Sequence, residues 1–191
     1  MERTISKAEI NEKPLLQYDG DLTVVASDKE LQEVLPTLRR ETLLGFDTET
    51  RPAFRKGESY LPSILQLGGE NHVWLFYLTQ INDLNSLFSI LADPNIIKSG
   101  VAIDRDILEL KDLAPFQEAG FRDLGKMAED RLFRKTGLRP LAAMLLDGRV
   151  SKGAQVSNWA KLPLSRKQIT YAATDAWVSR RLYLSLLDIR P

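Results

Sequence analysis

The sequence has 191 residues, no cysteine, and 26 basic against 26 acidic side chains, so its formal charge is zero. The missing cysteine excludes disulfides, thiolate metal sites and a cysteine nucleophile, and the charge balance excludes the strong global field of a general nucleic-acid binder. No apolar run approaches the roughly 20 residues that cross a bilayer, and the first stretch, MERTISKAEINEKP, lacks the apolar core of a signal peptide. The expectation is a cytoplasmic protein with a lead-in over residues 1–21 and a single domain over 22–191.

In chain order, the lead-in is polar and ends in a turn at Asp19-Gly20. LTVVAS is predicted as a strand, and SDKELQEVLPTLRR as an amphipathic helix with Ser27 or Asp28 as its N-cap. TLLGFDTET is a strand whose apolar first half predicts burial on both faces. SILQLGG and HVWLFYL form a predicted hairpin about a Gly-Gly-Glu-Asn turn, with the single histidine, His72, as a partly exposed strand residue. LNSLFSILAD is a helix and IIKSGVA a short strand. Then come helices at DRDILELKDL, FRDLGKMAEDRLF, LRPLAAMLLD and SRKQITYAATDAWVSRRLYLSLL, with an irregular, basic loop over Gly148–Asn158 that reads as mobile. Strands followed by interleaved helices give an α/β fold around a mixed central β-sheet.

Asp47 and Glu49 are two residues apart on a strand, so both carboxylates leave one face of the sheet. Like charges so placed repel each other, and a divalent cation with oxygen preference, Mg²⁺ or Mn²⁺, relieves that repulsion. The alternative is a pair of solvated acids at a strand end. An apolar strand ending in Asp also suggests a Walker B element, but the chain contains no G-x-x-x-x-G-K-[ST] loop, so no nucleotide cofactor is expected.

In KSGVAIDRDILEL two acids compete. At about 100° per residue, Asp106 lies roughly 60° from the centre of the stripe of Ile103, Ile107 and Leu110, and Asp104 about 100° away on the other side. Asp106 is therefore the acid nearer the interior, and Asp104 is predicted as the helix N-cap. The last helix opens on a capping box, Ser165 with Gln168, and is apolar nearly all round. It carries Tyr171 and Asp175 one turn apart on one face. A buried aspartate there needs a cation or strong donors, the alternative being a hydrogen bond to a neighbouring helix end. The alanines around the pair suit close approach to a metal-phosphate centre.

These residues carry a resemblance. Asp-x-Glu on a strand, an Asp at the start of a helix and Tyr-x3-Asp on a late helix resemble the DEDD superfamily of 3′-5′ exonucleases, in its tyrosine subgroup. GFDTETRP, LPSILQL, KSGVAIDRDILEL and SNWAKLPLSRKQITYAATDAWVSRRLY are similar to successive segments of the ribonuclease D and Werner-syndrome exonuclease domains, over about Leu22 to Leu187. The short tail beyond Leu187 makes the likeness closer to bacterial proteins built from the exonuclease domain alone. The resemblance implies a ribonuclease H-like fold and a phosphodiester hydrolase that releases nucleoside 5′-monophosphates from single-stranded or frayed 3′ ends of DNA or RNA. It also implies that Asp47, Glu49, Asp106 and Asp175 hold two Mg²⁺ or Mn²⁺ ions, with Tyr171 orienting the attacking water. Candidate substrate contacts are Thr50, Phe54, Arg55 and Lys56 after the first acidic motif, together with Lys152 and Trp159, the last of which also reads as a core anchor. The competing reading is an inactive nucleic-acid-binding or interaction module on the same fold.

Overall fold

The computed structural model describes residues 2–189. Six strands form one sheet in the order β1 (Asp21–Val25), β4 (His72–Tyr77), β3 (Ile64–Gly68), β2 (Leu43–Glu49), β5 (Ile97–Gly100), β6 (Phe121–Asp123). β3 pairs antiparallel with both neighbours and every other pairing is parallel, so the sheet is mixed. One face carries a core of Leu44, Phe46, Leu65, Leu67, Trp74 and Phe76 under α2 (Asp28–Leu38), α3 (Leu84–Ala92) and α4 (Asp104–Leu113). The other face carries Ile64, Val73 and Leu75 and is crossed by the 22-residue α7 (Arg166–Leu187). The remaining helices are α1 (Lys7–Glu12), α5 (Leu124–Glu129) and α6 (Leu138–Leu145).

Several local expectations change. Ser6 and Glu9 form a reciprocal capping box, so a helix interrupts the lead-in, and its buried Ile10 packs with Ile5 and Ala143. FRD is a strand rather than a helix start, because the Asp123 side chain accepts the Gly125 and Lys126 N–H groups and so begins α5 at Leu124. Ser27, not Asp28, caps α2, and Asp28 instead accepts N–H bonds from Asn82 and Asp83 at 2.7 and 3.0 Å. Asp104 is not a cap. It is the first residue of α4, exposed and paired with Lys126 at 2.7 Å, while Asp123 accepts the Ile103 N–H. Residues 148–158 form no regular element, yet Val150 and Ala154 are buried.

The alanines of α7 serve the sheet. A Cβ on Gly45 would lie 1.8 Å from the Ala176 carbonyl oxygen, and one on Gly68 would lie 2.9 Å from it. No side chain fits between helix and sheet here, so the Gly45, Gly68 and Ala176 backbones meet directly, beside Asp175. Gly45→Ala is expected to cost about 3 kcal/mol or more, at or beyond the upper end of overpacking penalties, because both clashing partners are main chain. Urea denaturation measures this, and a loss below about 1 kcal/mol would show that the contact relaxes freely.

Candidate active site

Alternation along β2 sends Leu44, Phe46 and Thr48 toward α4 and Gly45, Asp47 and Glu49 toward α7. On β2, β5 pairs with Leu43–Gly45 alone, so the C-terminal half of β2 extends past its parallel neighbour, and α4 begins alongside it. The start of α7 is fixed by its capping box and by the Leu164 N–H donating to the Tyr77 hydroxyl at 3.2 Å. Asp175 therefore descends onto the end of β2. One oxygen each of Asp47, Glu49 and Asp175 lies within 4.8 Å of the others.

Glu49 and Asp175 are buried and Asp47 is half-buried. Burial first, then the neighbouring carboxylates, pushes Asp47 well above the ordinary range and Glu49 up to about 10. Burial lifts Asp175 to about 7 against the opposing effect of a hydrogen bond with the Tyr171 phenol. The phenol is itself raised, by burial and then by the Asp175 charge. Among the described residues no lysine, arginine or histidine forms an ion pair with these three acids. Crowded carboxylates with no cationic partner fit a hard divalent cation.

Asp106 stands apart from the three. It approaches from the α4 side and accepts a hydrogen bond from the Thr48 hydroxyl, while its burial raises its own pKa. Its charge still acts on Asp47 and Glu49, so it borders the cluster without closing on it. Thr48, the middle residue of Asp-Thr-Glu, therefore ties Asp106 to the strand that carries two of the acids.

Two cavities flank the acids. One of about 630 Å³ reaches Tyr171 and Asp175 and is bordered by Arg166 and Lys167 at the start of α7 and by Leu15–Gln17 of the lead-in. The other, about 380 Å³, lies between Thr48, Thr50, Arg51, Tyr60 and Asp106. Thr50 is half-buried in this second cavity, Phe54 is 86% exposed on the loop beyond it, and Arg55 and Lys56 on the same loop are exposed. Lys152 is exposed beside Ser151 and Gly153, which border the first cavity. Trp159 is fully buried, its ring centre 6.0 Å from that of Tyr171, so it backs the phenol from the core, as its reading as a core anchor expects. Arg166, Lys167 and Thr48 escaped the sequence reading. The two cations looked like ordinary first-turn residues, and the threonine was overshadowed by its acidic neighbours.

Because the raised carboxyls bind protons more tightly in the folded than in the unfolded chain, stability in a chelator should fall as pH rises from the ordinary carboxylate range. The Asp175 contribution is lost through about pH 7 and that of Glu49 through about pH 10. Cation binding must release these protons, so the rise in melting temperature given by Mg²⁺ should be larger at pH 8.5 than at pH 6. Thermal melts in EDTA and in MgCl₂ at both values check this, and an equal rise at both would contradict it.

Known proteins resemble this chain over most of its length. A 3′-5′ exonuclease family matches residues 22–189. A 3′-5′ exonuclease of Arabidopsis thaliana is 28% identical over 97% of this chain and 70% of its own length. Ribonuclease D of Granulibacter bethesdensis is 31% identical over 87% of this chain, which spans 42% of that relative's length. Among solved structures, the Nibbler EXO domain of Aedes aegypti superposes with a TM-score of 0.81 at 22% identity over 90% of each chain, which establishes the ribonuclease H-like fold. With the family match running from the first strand past the end of α7, and an acid cluster of the kind a divalent cation occupies, the chain belongs to the metal-dependent 3′-5′ exonucleases.

Proposed function

We propose that this chain removes nucleotides one at a time from the 3′ end of single-stranded or frayed nucleic acid, releasing nucleoside 5′-monophosphates, as a member of the tyrosine subgroup. The observation that carries the reading is the convergence of Asp47, Glu49 and Asp175 within 4.8 Å, with no ion pair to any of them among the described residues. In this reading these acids, bordered by Asp106, hold two divalent ions, Mg²⁺ or Mn²⁺. When bound, the ions lower the pKa of water and offset charge on the phosphoryl group.

The side chains do the positioning. Tyr171, its phenol held protonated by burial beside the carboxylates, orients water through a hydrogen bond and is no general base near neutral pH. Asp175 accepts from that phenol and so fixes its direction. Thr48 holds Asp106 at the edge of the same site. Phe54 offers an exposed ring on which a base stacks, and Arg55, Lys56 and Lys152, together with Arg166 and Lys167, offer cations to phosphates on either side of the acids.

The test is incubation with 3′- and 5′-labelled DNA and RNA oligomers in Mn²⁺, with EDTA as control. Mononucleotide release from the 3′ label and a ladder shortening from the 3′ end on the 5′ label are expected. Shortening from the 5′ end, or no metal-dependent hydrolysis of any oligomer, would reject the proposal, and oligomer binding without hydrolysis would favour an inactive binding module.

A further inference from the structure

We infer that Gln66 is a positioning residue of this site, whose side-chain amide orients the Asp47 carboxylate for cation binding. Gln66 is fully buried in β3, and among the described residues neither its Nε2 nor its Oε1 has a hydrogen-bond partner. A buried amide left unpaired is rare, because nothing returns the hydration it gave up. Shape does not require it, since leucine or methionine fills a similar volume.

The sheet register shows which group it serves. Gln66 stands directly opposite Asp47 on β2 and Leu75 on β4, and opposed residues project from the same face with Cβ atoms about 5 Å apart. Its same-face neighbours along β3 are Ile64 and Gly68. Of these four flanking residues, Asp47 alone has a polar side chain. Above them runs α7, with the Ala176 backbone pressed on Gly68. Asp47 Oδ1 accepts the Thr48 N–H at 2.9 Å, which holds one oxygen, and Gln66 Nε2, not bonded to the carboxylate as it stands, is an uncommitted donor directly across the register for the other oxygen. A neutral donor suits this position, because it steadies a carboxylate without cancelling the charge that attracts the cation. Lysine would bring a competing positive charge, and an apolar residue would offer the carboxylate no donor.

The inference rests on the reading of these acids as a divalent-cation site, and the experiment separates the two. Gln66→Leu and Gln66→Met are compared with wild type by thermal melting in EDTA, by calorimetric titration with Mn²⁺, and by kcat and KM on one labelled oligomer. Removing an unpaired amide should leave the melting temperature in EDTA unchanged or raised. The Kd for Mn²⁺ should weaken by about 10- to 100-fold, the usual cost of losing a group that orients a metal ligand, with kcat reduced and KM for the oligomer little changed. A role in packing alone predicts the reverse pairing, a lower melting temperature with Mn²⁺ affinity intact. Unchanged Mn²⁺ affinity in either folded variant, or a fall in melting temperature in both, overturns the role of Gln66 alone. Wild-type protein that binds no Mn²⁺ overturns the cation-site reading and this inference together.

Discussion

Asp175→Asn should lower turnover by more than about 1,000-fold, beyond the range for losing one transition-state hydrogen bond, because it removes charge from the cluster proposed to bind divalent cation. It should also raise the Mn²⁺ concentration needed for half-maximal rate, and excess Mn²⁺ should restore part of the activity. Tyr171→Phe keeps the ring against Trp159 and removes only the hydroxyl. Its turnover should fall by about 10- to 1,000-fold with no change in the Mn²⁺ requirement. Parallel Mn²⁺ titrations of initial rate decide the matter, and a shifted requirement for Tyr171→Phe with none for Asp175→Asn would reverse both roles.

A comparable contrast is expected on α4. Asp106→Asn should abolish most turnover, because this half-buried carboxylate borders the cluster and takes the Thr48 hydrogen bond. Asp104→Asn should retain most of it, since Asp104 is exposed and its partner is Lys126 on α5, a solvent-screened pair remote from the acids. Matched rates on one oligomer, after circular dichroism shows both variants folded, provide the measurement. The opposite ranking would place the wrong acid at the site.

Much of this was legible in the sequence for physical reasons. β2 to β5, α4 and α7 have strong periodicity or long apolar runs, and Asp47 and Glu49 share a face because strands alternate. What escaped depends on partners distant in the chain. β6 has only three residues, and its helix-like continuation breaks where the Asp123 side chain caps α5. α1 is short and buries Ile10 alone, so it has no apolar stripe, although Ser6 and Glu9 stood at capping-box spacing. The N-cap expectation for Asp104 failed because the chain turns at Ala102, whose φ is 56°, and Asp123 takes the Ile103 N–H from across the sheet edge. The alanines of α7 suggest room for a phosphate centre only because nothing local announces that Gly45 and Gly68 lie beneath them.

The placement of Asp106 on one side of the sheet and Asp175 on the other also bears on how the enzyme comes into being. Segments far apart in sequence meet late in folding, since the entropy lost in closing a long loop is offset only once both ends are packed. In refolding from denaturant, helical signal from local segments should return before cation binding does, and hydrolytic activity should return last. A partly folded chain can thus hold much of its secondary structure and still be unable to cut nucleic acid, because the final carboxylate arrives only when α7 seats on the two glycines.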